Sequence, residues 1–108
     1  MRAYLDDIRE KPSSFDILWR SYEEAIGYCL ENGVPLYISF DHDLGYGNIA
    51  DGEIFGKTGM DFIKWLVEQD INMNGKFIPA CFDYDIHSAN PVGAENMDRY
   101  LIQYLRTR

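Results

Sequence analysis

Leu36-Tyr37-Ile38-Ser39-Phe40-Asp41-His42-Asp43-Leu44-Gly45 passes from an apolar run into a polar turn. Leu36 to Phe40, bounded by Pro35, reads as a β-strand that delivers Asp41-His42-Asp43 at its carboxyl end. A helix is expected on either side of it. Upstream, Ser21-Tyr22-Glu23-Glu24 has the form of a capping box, which starts a helix at Ser21. Tyr22, Ala25, Ile26, Cys29 and Leu30 then recur at helical spacing, and Gly33 stops it. Downstream, Gly45, Gly47, Gly52, Gly56 and Gly59 crowd one loop. Thr58 then caps a helix to about Asp70, with Phe62, Ile63, Leu66 and Val67 as its buried stripe. A strand set between two helices is the unit of an α/β fold.

The same alternation extends to both ends. Arg2 to Asp6 is a short strand ending in Asp6-Asp7-Ile8-Arg9, followed by the polar loop Glu10 to Ser14. Phe15 to Trp19 reads as a second strand. It could also be the first turn of the next helix, but the capping box at Ser21 decides against that. Phe77 to His87 reads as the fourth strand, in which Phe82, Tyr84 and Ile86 alternate with Asp83 and Asp85, the pattern of a half-exposed edge. It runs into His87-Ser88-Ala89-Asn90-Pro91, where Asn90 as N-cap and Pro91 at N1 start a last helix. Met97, Tyr100, Leu101, Tyr104 and Leu105 form that helix's inner face. The right-handed crossover rule then gives a mainly parallel four-stranded sheet of order 2-1-3-4 with three helices. The loop from Gly45 to Lys57 is expected to be its most mobile part and to act as a lid, with Tyr46 and Phe55 packing it down rather than stacking on a base or ribose.

Composition narrows the function classes. The 108 residues carry 10 Lys and Arg against 18 Asp and Glu, a net charge of 10 − 18 = −8, and 46% are hydrophobic. One folded domain over residues 1–108 is expected. With no apolar run near the ~20 residues of a membrane span and no signal segment, a cytoplasmic protein is expected, without membrane contact. Cys29 and Cys81 read as two buried free thiols. The acidity excludes a general grip on nucleic-acid backbone, which needs clustered Lys and Arg, but leaves room for a pocket that takes one phosphate.

Three strands end in polar clusters: Asp6-Asp7-Ile8-Arg9, Asp41-His42-Asp43 and His87-Ser88-Ala89-Asn90. If the strands are parallel neighbours, the clusters meet in one cleft beyond their carboxyl ends. Each has a plainer reading too: Asp6 and Asp7 can cap a loop, Asp41 or Asp43 can sit in an Asx-turn, and Asn90-Pro91 can serve purely as a helix cap. So many carboxylates in one cleft call for a hard divalent cation, Mg or Mn, held by Asp6, Asp7 and Asp41. Zinc is less suited, since only His42 and His87 are available to it. The opposite wall suits an anion. Arg9, Ser88, Asn90 and the amides near Val92 and Gly93 are placed to bind phosphate at a helix N-terminus. His87 is a candidate general acid or base, Asp41 a catalytic carboxylate, and Asp43 a group that orients a ligand or the His42 ring.

At these residues the chain resembles the receiver domain of two-component signalling and, more closely, the cyclic-phosphate processing receiver-like family. The segments that carry the likeness are Tyr4-Leu5-Asp6-Asp7-Ile8-Arg9, Phe40-Asp41-His42-Asp43-Leu44-Gly45, Gly59-Met60-Asp61 and His87-Ser88-Ala89-Asn90-Pro91-Val92-Gly93. The resemblance implies a flavodoxin-like, three-layer α/β/α fold with a reduced sheet. The first crossover helix shrinks to the loop Ile8 to Ser14, and the fifth strand with its lysine is missing. It further implies action on nucleotide or RNA ends that bear a cyclic phosphate, and with Asp6, Asp7 and Asp41 holding a cation the expected function is metal-dependent hydrolysis of that phosphate. A non-catalytic sensor of such a ligand and a degenerate receiver that docks a protein partner are the other readings.

Overall fold

The computed structural model describes residues 1–43 and 57–108. The expected glycine-rich lid, with Tyr46 and Phe55, lies outside the described residues apart from Lys57, its last member. The element order is β1 (Arg2–Leu5), β2 (Ile17–Trp19), α1 (Tyr22–Asn32), β3 (Tyr37–Phe40), α2 (Gly59–Asn72), β4 (Asp83–Ile86) and α3 (Pro91–Thr107). The four strands form one parallel sheet of order β2-β1-β3-β4, the order the sequence pattern predicts.

The caps foreseen from sequence start all three described helices. Ser21 Oγ accepts from the Glu24 amide at 3.1 Å, while the Glu24 carboxylate reaches the Arg20 amide one residue further out. Thr58 and Asp61 form a complete reciprocal box, with 3.2 Å from the Asp61 amide to Thr58 Oγ1 and 2.7 Å from the Thr58 amide to Asp61 Oδ2. Asn90 Oδ1 accepts from the Gly93 amide at 3.0 Å. Each cap satisfies an amide that the first helical turn leaves without a partner.

Ala3 and Leu5 of β1, Trp19 of β2, and Ile38 and Phe40 of β3 point to one side of the sheet. They pack there against Ala25 and Cys29 of α1, Phe62, Ile63, Leu66 and Val67 of α2, and Met97 and Leu101 of α3. A fully buried Phe or Leu of this kind contributes about 1.5–3 kcal/mol. Helix α1 packs on α2, and α2 on α3, so all three described helices share this face. The opposite face, where a third layer would lie, is covered instead by the β1–β2 connection. Phe15 packs edge-on against Tyr4 (5.1 Å between ring centroids), and the Arg2 guanidinium lies over the rings of Phe15 and Tyr37. Among the described residues no helix is long and apolar enough to cross a membrane.

Four local expectations are corrected. The fourth strand spans Asp83–Ile86, not Phe77 to His87, because the amides of Phe77 and Ile78 are taken by the buried Asp70 carboxylate. Pro79 also brings no amide to a ladder there. Cys81 is exposed in the turn that results, while Cys29 is buried as expected. Leu30 and Tyr100 lie outside the core, at 63% and 39% exposure. A single helical layer buries a narrower stripe of α1 and α3 than their apolar spacing suggests.

Candidate functional site

The register of the sheet builds the site. Leu5 pairs with Phe40, and Phe40 with Ile86, so the residues that follow, Asp6, Asp41 and His87, emerge side by side. The ladder continues through them. The Asp41 amide donates to the Leu5 carbonyl at 3.1 Å and the His87 amide to the Phe40 carbonyl at 2.9 Å. By strand alternation, all three side chains stand on the face away from the helices.

His87 extends from β4 across β3 to β1. Its ring stacks on Tyr4 with centroids 4.2 Å apart and planes 6° from parallel. One ring nitrogen, Nε2, lies 3.0 Å from Asp6 Oδ2, and the other, Nδ1, lies 2.6 Å from Ser39 Oγ. Ser39, buried in the middle of β3, is the residue the ring passes over. Both ring nitrogens are therefore engaged. Burial pushes the His87 pKa below its ordinary value despite the Asp6 carboxylate, so the ring is neutral near pH 7.

Asp6 is buried, and burial alone would raise its pKa. The amides of Arg9 and Ile8, each 2.8 Å from Oδ1, together with His87, outweigh this and hold it below the usual carboxylate range. Asp41 has no such support. Burial, then the charges of Asp6 and Asp7, push it up to about 6, against the pull of the His42 amide. Among the described residues no side chain donates a hydrogen bond to its carboxylate. Asp7 is raised as well, first by burial and then by Asp6, with Asp43 adding to the effect. The acids thus sense one another at the ends of the strands.

Arg9 stands at the rim, half exposed. Its Nη1 donates to the His87 carbonyl at 2.9 Å and its Nε lies 3.8 Å from Asp6 Oδ2. Arg20 clamps the same loop from below, with Nη1 donating to the carbonyls of Arg9 (2.7 Å) and Asp6 (3.3 Å). Asp43 Oδ1 lies 2.8 Å from His42 Nδ1, and the His42 ring rests on Gly93, where a Cβ would come within 2.6 Å of it. Gly59 lets α2 close on Asp41, since a Cβ there would lie 1.8 Å from the Asp41 carbonyl oxygen. Ser88 Oγ accepts the Asn90 amide and Asn90 Oδ1 the Gly93 amide, so both side-chain oxygens, and the Gly93 amide, are occupied in capping.

Among the described residues, Asp6, Asp41 and His87 form a cluster whose candidate donor atoms all lie within 4.8 Å of one another. Residues 1–103 match the model of the cyclic-phosphate processing receiver domain. The chain belongs to this family. No curated protein and no solved structure matches it. In this cyclic-phosphate processing receiver domain, Ser39, Tyr4 and Arg20 hold the site together, and the sequence pattern assigned none of them a role there. Ser39 carried one faint signal, a hydroxyl in an otherwise apolar strand. Arg20, just before a helix cap, carried none.

Proposed function

We propose that the cleft binds a cyclic phosphate on a nucleotide or RNA end, with a divalent cation, and opens the ring by hydrolysis. The observation that carries this reading is the in-register convergence of Asp6, Asp41 and His87 at the ends of three parallel strands, with Arg9 at the rim, in a chain of this family.

The donor set fits a cation. Asp41 is a buried carboxylate raised by neighbouring negative charge, and a divalent ion relieves that repulsion. Asp6 and Asp41 would hold the ion; Asp7, expected from the sequence as a third ligand, is not in the cluster of donor atoms that Asp6, Asp41 and His87 form, and adds negative charge beside them. A cation held there would supply Lewis-acid chemistry, polarising a phosphoryl oxygen and lowering the pKa of a bound water. The chain's own groups do the rest. Arg9 offers a guanidinium to the phosphate, and the N-terminus of α3 adds the positive end of its dipole. Ser88 and Asn90 shape that wall, and Asp43 fixes His42 against α3. Addition of water at phosphorus breaks one ester bond of the ring. The freed ribose oxygen takes up the water's proton and a phosphomonoester remains.

Full engagement of both His87 nitrogens favours a second reading, in which the pocket binds such a ligand without turning it over. Incubation with a 2′,3′-cyclic nucleotide and Mn²⁺ or Mg²⁺, followed by phosphorus NMR, separates the two. Ring opening supports the hydrolase, and binding without ring opening supports the sensor. No binding in any condition overturns both. Labelling of Asp41 by acetyl phosphate would instead point to a receiver that docks a protein.

A further inference from the structure

The geometry points to His87 as a third, nitrogen donor for the cation beside Asp6 and Asp41, with Ser39 as the positioning residue that makes this possible. The site then prefers a nitrogen-accepting first-row ion such as Mn²⁺ or Zn²⁺ over Mg²⁺. This deepens, and rests on, the cation reading above.

The 3.0 Å between His87 Nε2 and Asp6 Oδ2 is close to the ~3 Å that separates adjacent donors around an octahedral ion with bonds of about 2.1 Å. Asp41, only 9% exposed and without a side-chain donor among the described residues, completes the group within 4.8 Å. The ring needs no search to reach this position, because the stack on Tyr4 already fixes its plane.

The protons decide whether Nε2 can serve. Without an ion, Nε2–H donates to the Asp6 carboxylate, so Nδ1 is the acceptor and the Ser39 hydroxyl donates to it. To bind an ion, Nε2 must present its lone pair. The neutral ring then carries its proton on Nδ1, which needs an acceptor. A hydroxyl is both donor and acceptor, so rotation of the Ser39 O–H lets the same 2.6 Å contact serve either tautomer. Nε2 releases one proton to water and Nδ1 takes one up, so the ring stays neutral and the count balances. A partner on the second ring nitrogen is the usual way a metal-binding histidine is oriented. Imidazole suits manganese and zinc, whereas magnesium keeps to oxygen.

The test is ¹⁵N NMR of the His87 ring as Zn²⁺, a diamagnetic probe, is added to the intact chain, with calorimetry of Mn²⁺ and Mg²⁺ binding alongside. Transfer of the ring proton from Nε2 to Nδ1 on zinc addition is expected, with Mn²⁺ bound at least about tenfold more tightly than Mg²⁺. Ser39→Ala should weaken Mn²⁺ binding about 10–100-fold, the usual cost of losing such a partner, and leave Mg²⁺ affinity within about threefold. His87→Gln should bring Mn²⁺ to the level of Mg²⁺. An unchanged His87 tautomer, with Mn²⁺ and Mg²⁺ bound alike, overturns the nitrogen-donor role while the carboxylate reading stands. If no ion binds at all, both fall. The wild-type spectrum alone decides if a variant fails to fold.

Discussion

His87 and Asp6 lie 81 positions apart in the chain and 3.0 Å apart in the fold, joined ring nitrogen to carboxylate across the breadth of β3. This contact ties the last strand to the first. His87→Ala removes it together with the Ser39 bond and the Tyr4 stack, leaving Ser39 and Asp6 short of partners in a buried setting. A loss of about 2–4 kcal/mol is expected. Denaturant unfolding of the two proteins measures it, and a loss below about 0.5 kcal/mol would show that the contact is incidental.

Asp41→Asn should stabilise the ion-free protein at neutral pH. The Asp41 pKa is raised from 3.8 to about 6, so the folded state keeps a proton that the unfolded chain has released. The group's contribution is therefore fullest below the unfolded value and is lost as pH climbs through about 6. Above that range an ionised Asp41 costs up to about 3 kcal/mol. Thermal melts should show the variant several degrees more stable at pH 7.5 and nearly equal to the parent at pH 4. A variant that melts lower at pH 7.5 would contradict this.

Cation and phosphate binding should fall together in Asp6→Asn, because the change removes charge while Asn can still accept the Ile8 and Arg9 amides. Asn90→Ala should instead weaken phosphate binding and cost α3 about 1 kcal/mol through loss of its cap. Binding of a cyclic nucleotide should vanish in EDTA. Since Asp41 titrates near 6, cation affinity should drop about tenfold between pH 7.5 and pH 5. Calorimetry checks each point. Equal nucleotide affinity with and without EDTA would remove the cation from the site.

Two glycines should differ sharply in tolerance. At Gly93 a methyl would meet the His42 ring, which can move, so Gly93→Ala should cost about 1–3 kcal/mol. At Gly59 it would strike the Asp41 backbone carbonyl, which the strand holds fixed. Gly59→Ala should therefore be the worse variant by at least about 1 kcal/mol. Paired unfolding curves rank them.

Much of this arrangement was legible before any coordinates. Ser21, Thr58 and Asn90 announced the helix starts because a cap is a local event, decided within four residues. Sheet order followed from the handedness of crossovers. What escaped was settled at long range. Phe77 to Phe82 had strand composition, but Asp70, seven and eight positions back from the amides it binds, took those amides away. Ser39 looked like a polar interruption in a core strand until a ring from position 87 was found lying over it. Arg20 grips carbonyls 11 and 14 residues distant, with nothing in its neighbours to foretell it. Leu30 and Tyr100 fell on apolar stripes wider than one layer of helices needs.

Because Asp6, Asp41 and His87 each come one residue after a paired strand position, the site keeps phase with the sheet. Substitutions along β1, β3 and β4 leave that phase intact. A single inserted or deleted codon within one of these strands does not, for it would turn the terminal side chain to the opposite face. Length variation in this chain should thus be confined to the connections between elements. The strands can drift in composition while their residue count stays frozen.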